Sequence, residues 1–342
     1  MLYYVGRFAP PYGGVTIKNE LLYKNLSKNI SIQKIDTNKI NIKNIRGCVH
    51  FLRRVLSKED KLIFGVSGKW RYLLSKIIYT VNKDLLSRSL LIVMGGSFAD
   101  TVIYDKRYLE WLKCYKKIYI ETNSMKSILE KYGLQNVEVY PNCRQKPERN
   151  MSIHSKSGKL KCIFFSMIYP EKGVDLIIEA AAQLPDIDID FWGDISKDYK
   201  NVFFESINTL PNCQYKGIFK SNEGDVYSLL NQYDVMLFPT KMTSEGVPGT
   251  LVEAKIAGLP AIVSNIAYNA ELVRNMEEGI VLSENIVKNL KEAIVSLSCD
   301  DLLLNKLKQG ALKSSEQYII ENYIETIIKE IEEKNNECNR TL

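Results

Sequence analysis

Two glutamates eight residues apart, Glu245 and Glu253, bracket the turn Val247-Pro248-Gly249-Thr250 in the stretch SEGVPGTLVEAKIAGLP at 244–260. An isolated pair of carboxylates at this spacing is ordinarily two solvated surface charges. The flanking residues change that reading. Pro248 suits the first turn of a helix, Gly258 the position just past its end, and Pro260 bars continuation, so a helix is predicted over about 248–257. Glu253 then lies inside the helix and Glu245 in the loop before it. Between them the amides of Gly249 and Thr250 lack intrahelical acceptors and are available for an anion such as a diphosphate. Upstream, Lys172 in Glu171-Lys172-Gly173 follows the apolar run CIFFSMI at the start of another helix, where a functional cation is favoured over a surface one.

These residues need elements to hold them. From residue 1 short apolar runs alternate with longer amphipathic segments: LYYVG, IKNELLYKNLSK, ISIQKID, IRGCVHFLRRVLS, KLIFGVS, and later SLLIVMGG, YDKRYLEWLKCYKK, IYIET, NSMKSILEKYG and VEVYPN. Strands of four to six residues alternating with helices predict a parallel sheet covered on both faces. The polar segment 143–159 reads as a linker, after which the alternation restarts with LKCIFFSMI and continues to AIVS and NAELVRNM. The fold class is thus α/β with two Rossmann-like domains, 1–150 and 155–315. The remainder, 316–342, is expected to pack back toward the first domain, as the end of one long C-terminal helix over about 302–334. Ligands of such open sheets bind outside the strand C-termini, which places the expected site in a cleft between the domains.

The usual phosphate motifs are missing. No G-x-G-x-x-G comes after the first strand, and GVSGKW at 65–70 is not a complete P-loop, which removes the main support for a nicotinamide dehydrogenase or a P-loop enzyme. The first strand leads instead into FAPPYGGVTIKNELL, in which Gly13 and Gly14 open a helix and let a ligand approach backbone closely. A plain strand-to-helix turn has the same appearance.

The pattern E-x7-E followed by A-x3-G-x-P, preceded by YDVMLFPT and by PEKGVDLIIEA at 170–180, resembles the nucleotide-sugar domain of retaining glycosyltransferases of family 4, which have the GT-B fold. PPYGGV and ETNSMKSILEKYGLQNVEVYPN at 121–142 extend the resemblance over most of the chain, with softer motifs. The resemblance implies that Glu253 binds the ribose hydroxyls of the donor, that Glu245 lies beside the donor sugar and the reacting centre, and that Lys172 neutralises the leaving diphosphate. It also places the backbone of Phe219 at the base. The chain departs from the family at three places. Ser166-Met167-Ile168 stands where an Arg-bearing G-R-L is common, so Lys172 has only helix amides to help it. Pro248 offers no N–H to a sugar hydroxyl, which leaves that contact to Val247. Neither His50 nor His154 matches the family's donor-side histidine; the segment Gly95-Gly96-Ser97-Phe98-Ala99-Asp100 occupies that region, with Ser97 or Asp100 as candidates to face the substrate.

The function so implied is transfer of a sugar, with retention, from a nucleotide-diphosphate sugar to a glycan or lipid-linked acceptor, in cell-surface polysaccharide assembly of capsule or O-antigen type. No cofactor and no metal are expected; Asp186-Ile187-Asp188-Ile189-Asp190 contains a D-x-D, but in mid-domain it reads as a polar strand entrance. Two rivals stand beside this reading: a nucleotide-sugar epimerase of the same fold, and a non-catalytic subunit of a glycosyltransferase complex. The donor base and sugar are not legible, because the base contacts in this family are largely backbone.

Composition adds the surroundings. The net charge of +6 divides sharply: residues 1–150 carry 27 Lys and Arg against 12 Asp and Glu, whereas 151–342 carry 19 against 28. A basic first domain suits an acceptor at an anionic membrane, and Trp and Tyr interleave with Lys and Arg in KWRYLLSKIIYTVNK at 69–83 and YDKRYLEWLKCYKK at 104–117. Helices with one buried and one solvated basic face fit these segments equally well. Nucleic acid would suit the charge, but no recognition motif accompanies it. No secretion signal and no membrane span is read, so a cytoplasmic protein is expected, peripheral at the inner face of the plasma membrane. Seven scattered cysteines without a C-x-x-C pair predict buried reduced thiols.

Overall fold

The computed structural model describes residues 1–10, 13–40, 45–220, 224–284 and 286–333. Pro11 and Tyr12 of the first loop, Cys338 and the tail after 333 lie outside them. The chain divides into two compact units, Met1–Lys146 with Ile319–Leu342, and Pro147–Tyr318.

The first unit runs β1 (Leu2–Gly6), α1 (Gly14–Ser27), β2 (Gln33–Asp36), α2 (Ile45–Val55), β3 (Lys61–Gly65), α3 (Gly68–Val81) and the short α4 (Lys83–Leu86). It continues through β4 (Leu90–Ile92), α5 (Phe98–Tyr104), α6 (Lys106–Leu112), β5 (Lys117–Ile120), α7 (Asn123–Lys131) and β6 (Val137–Val139). Its sheet is parallel, with strand order β2-β1-β3-β4-β5-β6. Alternation along β1 sorts the two faces. Tyr4 joins Phe8 and Tyr23 on the α1 side, while Tyr3 meets His50 and Arg54 of α2 on the other. Asn19 of α1 ties the ends of two strands: it donates to Arg7 O (2.8 Å) and Gly65 O (2.9 Å) and accepts from Tyr4 Oη (2.9 Å).

The second unit runs β7 (Lys161–Phe165), α8 (Val174–Ala181), β8 (Asp188–Trp192), α9 (Lys200–Ile207), β9 (Cys213–Gly217), α10 (Val226–Leu230) and β10 (Val235–Phe238). Next come α11 (Gly249–Ile256), β11 (Ala261–Ser264), α12 (Asn269–Leu272), β12 (Gly279–Leu282), α13 (Val287–Cys299) and α14 (Asp301–Ser314). Its parallel sheet has the order β12-β11-β10-β7-β8-β9, which reverses between β7 and β10. That reversal is a topological switch point, where open α/β sheets bind ligands outside the carboxyl ends of the strands.

Three expectations need correction. The long C-terminal helix is two helices: α14 ends at Ser314, a tight turn covers Ser315–Tyr318, and α15 (Glu321–Glu332) comes after it. At the break Ser314 and Ser315 turn their hydroxyls onto the carbonyls of Ala311 and Leu312 (2.9 and 2.7 Å). Ile320, Ile324, Ile327 and Ile331, at helical spacing, bury into the core of the first unit beside Leu22 and Leu26. The aromatic-basic segment 104–117 is likewise shorter as a helix. Asp105 caps α6, accepting from Arg107 N and Tyr108 N, and Lys117 already begins β5. Among the described cysteines Cys143, Cys162 and Cys213 are buried, Cys48 and Cys114 half-buried and Cys299 exposed, so burial holds for three; all six are free thiols.

Candidate functional site

The residues singled out in the second unit gather at the carboxyl ends of its strands. After β7 the chain passes Met167 and Ile168, makes one tight turn over Pro170–Lys172 and enters α8 through Gly173. Gly173 has φ +76°, and a Cβ there would lie 2.0 Å from Pro239 O, so the turn is pressed against the end of β10 in a way only glycine permits. The loop after β10 is stitched to the same turn: Lys241 N donates to Glu171 O (2.8 Å), and Lys241 Nζ reaches Asp175 Oδ2 (2.5 Å). Thr240, fully buried, accepts from Met242 N at 3.2 Å and anchors Ser264 Oγ through its carbonyl at 2.6 Å.

This stitching brings Lys172 and Glu245, 73 residues apart in sequence, into a direct ion pair. Their side chains are only 11% and 14% exposed, and Lys172 Nζ sits 5.4 Å from the centre of the Phe238 ring. Tyr169 borders the pair and donates to Met242 Sδ (2.9 Å). Burial raises its phenol above the usual range, and the Glu245 and Glu171 carboxylates add to the effect. Among the described residues Glu245 Oε2 is buried with no hydrogen-bond partner. The site is therefore a partly buried cation and a carboxylate with one unused acceptor, on loops fixed by backbone hydrogen bonds.

Helix α11 begins one residue later than expected. Pro248 has φ −64° and ψ 122°, an extended residue capping the helix, and its carbonyl accepts from Leu251 N (3.1 Å) and Val252 N (3.3 Å). Gly249 and Thr250 are the first two helical residues, half-buried, and Val247 before them is buried. Glu253 lies within the helix and Glu245 in the loop ahead of it. The helix closes at Gly258, with Leu259 N donating to Ala254 O (2.8 Å). Phe219, just past β9, is half-buried and packs edge-on against Phe165 at the end of β7, ring centres 6.3 Å apart.

In the first unit Gly13 precedes α1 with extended backbone (φ −174°) and Gly14 is its first residue; a Cβ at either would meet nothing within 4 Å. Ser97 precedes α5 and Asp100 lies in its first turn, both exposed. The D-x-D aspartates are engaged elsewhere. Asp190 accepts from Tyr233 Oη (2.8 Å) and pairs with Lys216 (3.4 Å), while Asp186 lies outside β8 beside Lys159 (3.7 Å). Among the described residues no group of three or more His, Cys, Asp or Glu is placed to hold a metal ion. Sequence reasoning did not single out Tyr169, Thr240 or the role of Gly173. Only Gly173 carried a signal, its place directly after Lys172 at a strand-to-helix junction.

Residues 145–314 match the family model for glycosyl transferases group 1. In structure, the chain is similar to Anabaena HepE in complex with UDP-glucose, at a TM-score of 0.70 and 14% identity, over 96% of this chain and 98% of that one. The fold is GT-B. The pneumococcal O-GlcNAc transferase GtfA in complex with UDP and GlcNAc is also similar, at a TM-score of 0.61 and 19% identity, over 84% of this chain and 59% of that one. In sequence, the chain is 25% identical over 203 residues to the Escherichia coli UDP-Gal:alpha-D-GlcNAc-diphosphoundecaprenol alpha-1,3-galactosyltransferase, covering 58% of this chain. The chain spans about half the length of the curated relatives it matches, 51% of this one and 47% of a glycosyltransferase from Methanocaldococcus jannaschii. These likenesses show the GT-B fold, and within it residues 145–314 are similar to glycosyl transferases group 1.

Proposed function

We propose that the chain transfers a sugar, with retention, from a nucleotide-diphosphate sugar to a glycan or polyprenyl-diphosphate-linked acceptor in cell-surface polysaccharide assembly. The observation that carries this is the Lys172–Glu245 pair, held at the carboxyl ends of the second unit's strands, in one segment with the start of α11. In this reading Lys172 and the amides of Gly249 and Thr250 stabilise the departing diphosphate, whose charge grows as the bond to the anomeric carbon breaks. Glu245 positions the sugar, Glu253 holds the ribose, Val247 gives a backbone contact to the sugar, and the backbone at Phe219 meets the base. The first unit receives the acceptor, with Gly13, Gly14, Ser97 and Asp100 on its side of the reaction. The UDP bound in the similar structures and the diphosphoundecaprenol-linked substrate named for the Escherichia coli relative favour a UDP-sugar and a lipid-linked acceptor.

The test is a screen of UDP-, GDP-, ADP- and CMP-sugars by thermal shift, followed by hydrolysis or transfer with the best ligand in the presence of EDTA. Tight donors stabilise by RT ln(1 + [L]/Kd). Lys172→Ala and Glu245→Gln should each lower turnover on the order of a hundredfold or more, and the product should keep the donor's anomeric configuration by NMR. A wild-type chain that neither binds nor turns over any nucleotide sugar refutes the reading.

A further inference from the structure

The structure separates the two aromatic-basic segments of the first unit. In 104–117 most of the aromatic surface turns inward: Tyr108 is fully buried, and Trp111 packs against Tyr72, Tyr79 and Tyr108 at ring-centre distances of 5.3, 6.2 and 6.1 Å. Helix α3 behaves differently. It buries Arg71, Leu74, Ser75 and Ile78 against the sheet and leaves Trp70, Leu73, Ile77 and Val81 between 41% and 53% exposed. Those four, at i, i+3, i+7 and i+11, form one apolar stripe on the outer side of the helix.

Helix α2 and the residue after it repeat the pattern with Val49, Leu52 and Leu56, 42–54% exposed and again at i, i+3 and i+7. Both helices cover the same face of the sheet: α2 packs its His50 and Arg54 on Tyr3, and Ser75 of α3 meets Tyr115, which packs on Phe64 two strand positions beyond Tyr3's neighbour Leu62. They are also tied at their ends, where Asn82 Nδ2 donates to Val55 O (2.8 Å) and Ser57 O (3.1 Å). Seven large apolar side chains on two joined helices exceed the singly scattered exposure that needs no explanation.

The charge around the stripes selects the partner. Residues 45–57 and 61–83 contain no Asp or Glu, whereas Arg46, Arg53, Lys69, Lys76 and Lys83 are exposed among them. Lys69 and Lys76 lie seven residues apart on α3 beside the apolar stripe, and Lys83 opens α4 just past its end. Trp70 at its head also lines a cavity of ≈ 150 Å³ with Arg7, Val15, Thr37, Ser67 and Leu74, a lining of mixed polarity. We infer that the outer face of α2 and α3 docks this protein on an anionic lipid bilayer, with the apolar stripes entering the headgroup boundary and the lysines and arginines meeting lipid phosphates. This deepens the membrane-facing part of the proposed function, yet it is measured without any turnover.

The test is co-sedimentation of the full chain with vesicles of phosphatidylglycerol and phosphatidylcholine, or of phosphatidylcholine alone. Binding is expected to the anionic vesicles only, weakening with added salt. A blue shift of tryptophan emission should accompany it and disappear in Trp70→Phe. Leu73→Ser with Ile77→Ser should lower vesicle affinity about tenfold or more, and Lys69→Glu with Lys76→Glu by a comparable factor, since each basic residue changes binding about fivefold. These side chains are exposed, so the variants should melt as wild type does, and donor hydrolysis should persist. Tyr104→Ser, from the other segment and 88% exposed, should bind like wild type. Absence of binding, binding indifferent to the stripe variants, or a chain whose stripe instead pairs two copies in sedimentation velocity overturns the inference. Vesicle binding without turnover of any sugar donor would count against the transferase reading alone.

Discussion

Replacing Gly173 by alanine tests whether the turn that carries Lys172 is held by the end of β10. At φ +76° any L side chain costs about 1–2 kcal/mol. The new Cβ would also lie 2.0 Å from Pro239 O and 2.7 Å from Pro239 C. Those are backbone atoms of the residue before Thr240, itself buried and bonded to Ser264, so the neighbour has little freedom to retreat. Overpacking of this kind adds about 1–3 kcal/mol, for a total of roughly 2–5 kcal/mol. In a domain of this size that lowers the melting temperature by roughly 5–15 °C. Calorimetry on Gly173→Ala, with Gly13→Ala as the comparison, reads the difference directly. At Gly13 the backbone is extended and a Cβ meets nothing within 4 Å, so its melting temperature should stay near wild type. Under the proposed reading Gly173→Ala should also weaken binding of whichever nucleotide sugar the screen selects, because relief of the clash displaces Lys172. If Gly173→Ala melts with wild type and binds donor equally, the turn is not fixed by Pro239 and the account of the site fails.

A second perturbation addresses the anchor behind α11. Lys255 pairs with Glu278 at 2.5 Å, both side chains no more than 3% exposed, and also donates to Ser314 Oγ (2.8 Å). Glu278→Gln leaves the Lys255 ammonium buried without its counter-charge and should cost about 3–5 kcal/mol in urea denaturation, the usual penalty for breaking a buried pair from one side. The same pair predicts acid sensitivity. Burial pushes the Glu278 carboxyl up, but Lys255 and then Arg274 outweigh it, so it titrates below the usual carboxylate range. A depressed folded-state pKa gives stability that is present above about pH 4.3, the unfolded value, and is lost as pH falls through the folded value. Wild type should therefore lose more stability between neutral pH and acid than Glu278→Gln does; equal slopes would contradict the assignment.

Much of this architecture was legible because it is local. The strands LYYVG, KLIFG and CIFF and the helix bounded by Pro248 and Gly258 all announce themselves through apolar runs and turn residues. The errors came where one helical pattern continues across a break. In 302–334 the apolar spacing persists through Ser314 and Ser315, and only the tight turn over Ser315–Tyr318 shows that the helix has stopped. The inward turn of Tyr108 and Trp111 was hidden for another reason. Aromatics interleaved with lysines satisfy both a membrane face and a core face, and only the packing with Tyr72 decides between them.

The candidate site shows the same division between what spacing reveals and what contact creates. Glu245 and Glu253 stand eight positions apart in sequence, but the partner that matters for Glu245 is Lys172, 73 positions away. Neither residue's own neighbourhood announces the pair; it arises because Glu171 O accepts from Lys241 N and Gly173 packs on Pro239. Under the proposed reading the pair is also a pre-formed half of the bound state. Among the described residues Lys172 has one carboxylate as its counter-ion, and Glu245 keeps a buried Oε2 without a partner, a group whose desolvation costs about 1–3 kcal/mol while unmet. A diphosphate arriving at Lys172 frees that carboxylate to accept sugar hydroxyls with both oxygens. Donor binding then relieves a cost already present in the free protein, and the two residues act together: losing Glu245 alone should weaken donor sugar recognition more than recognition of the nucleotide diphosphate, whereas losing Lys172 should weaken both.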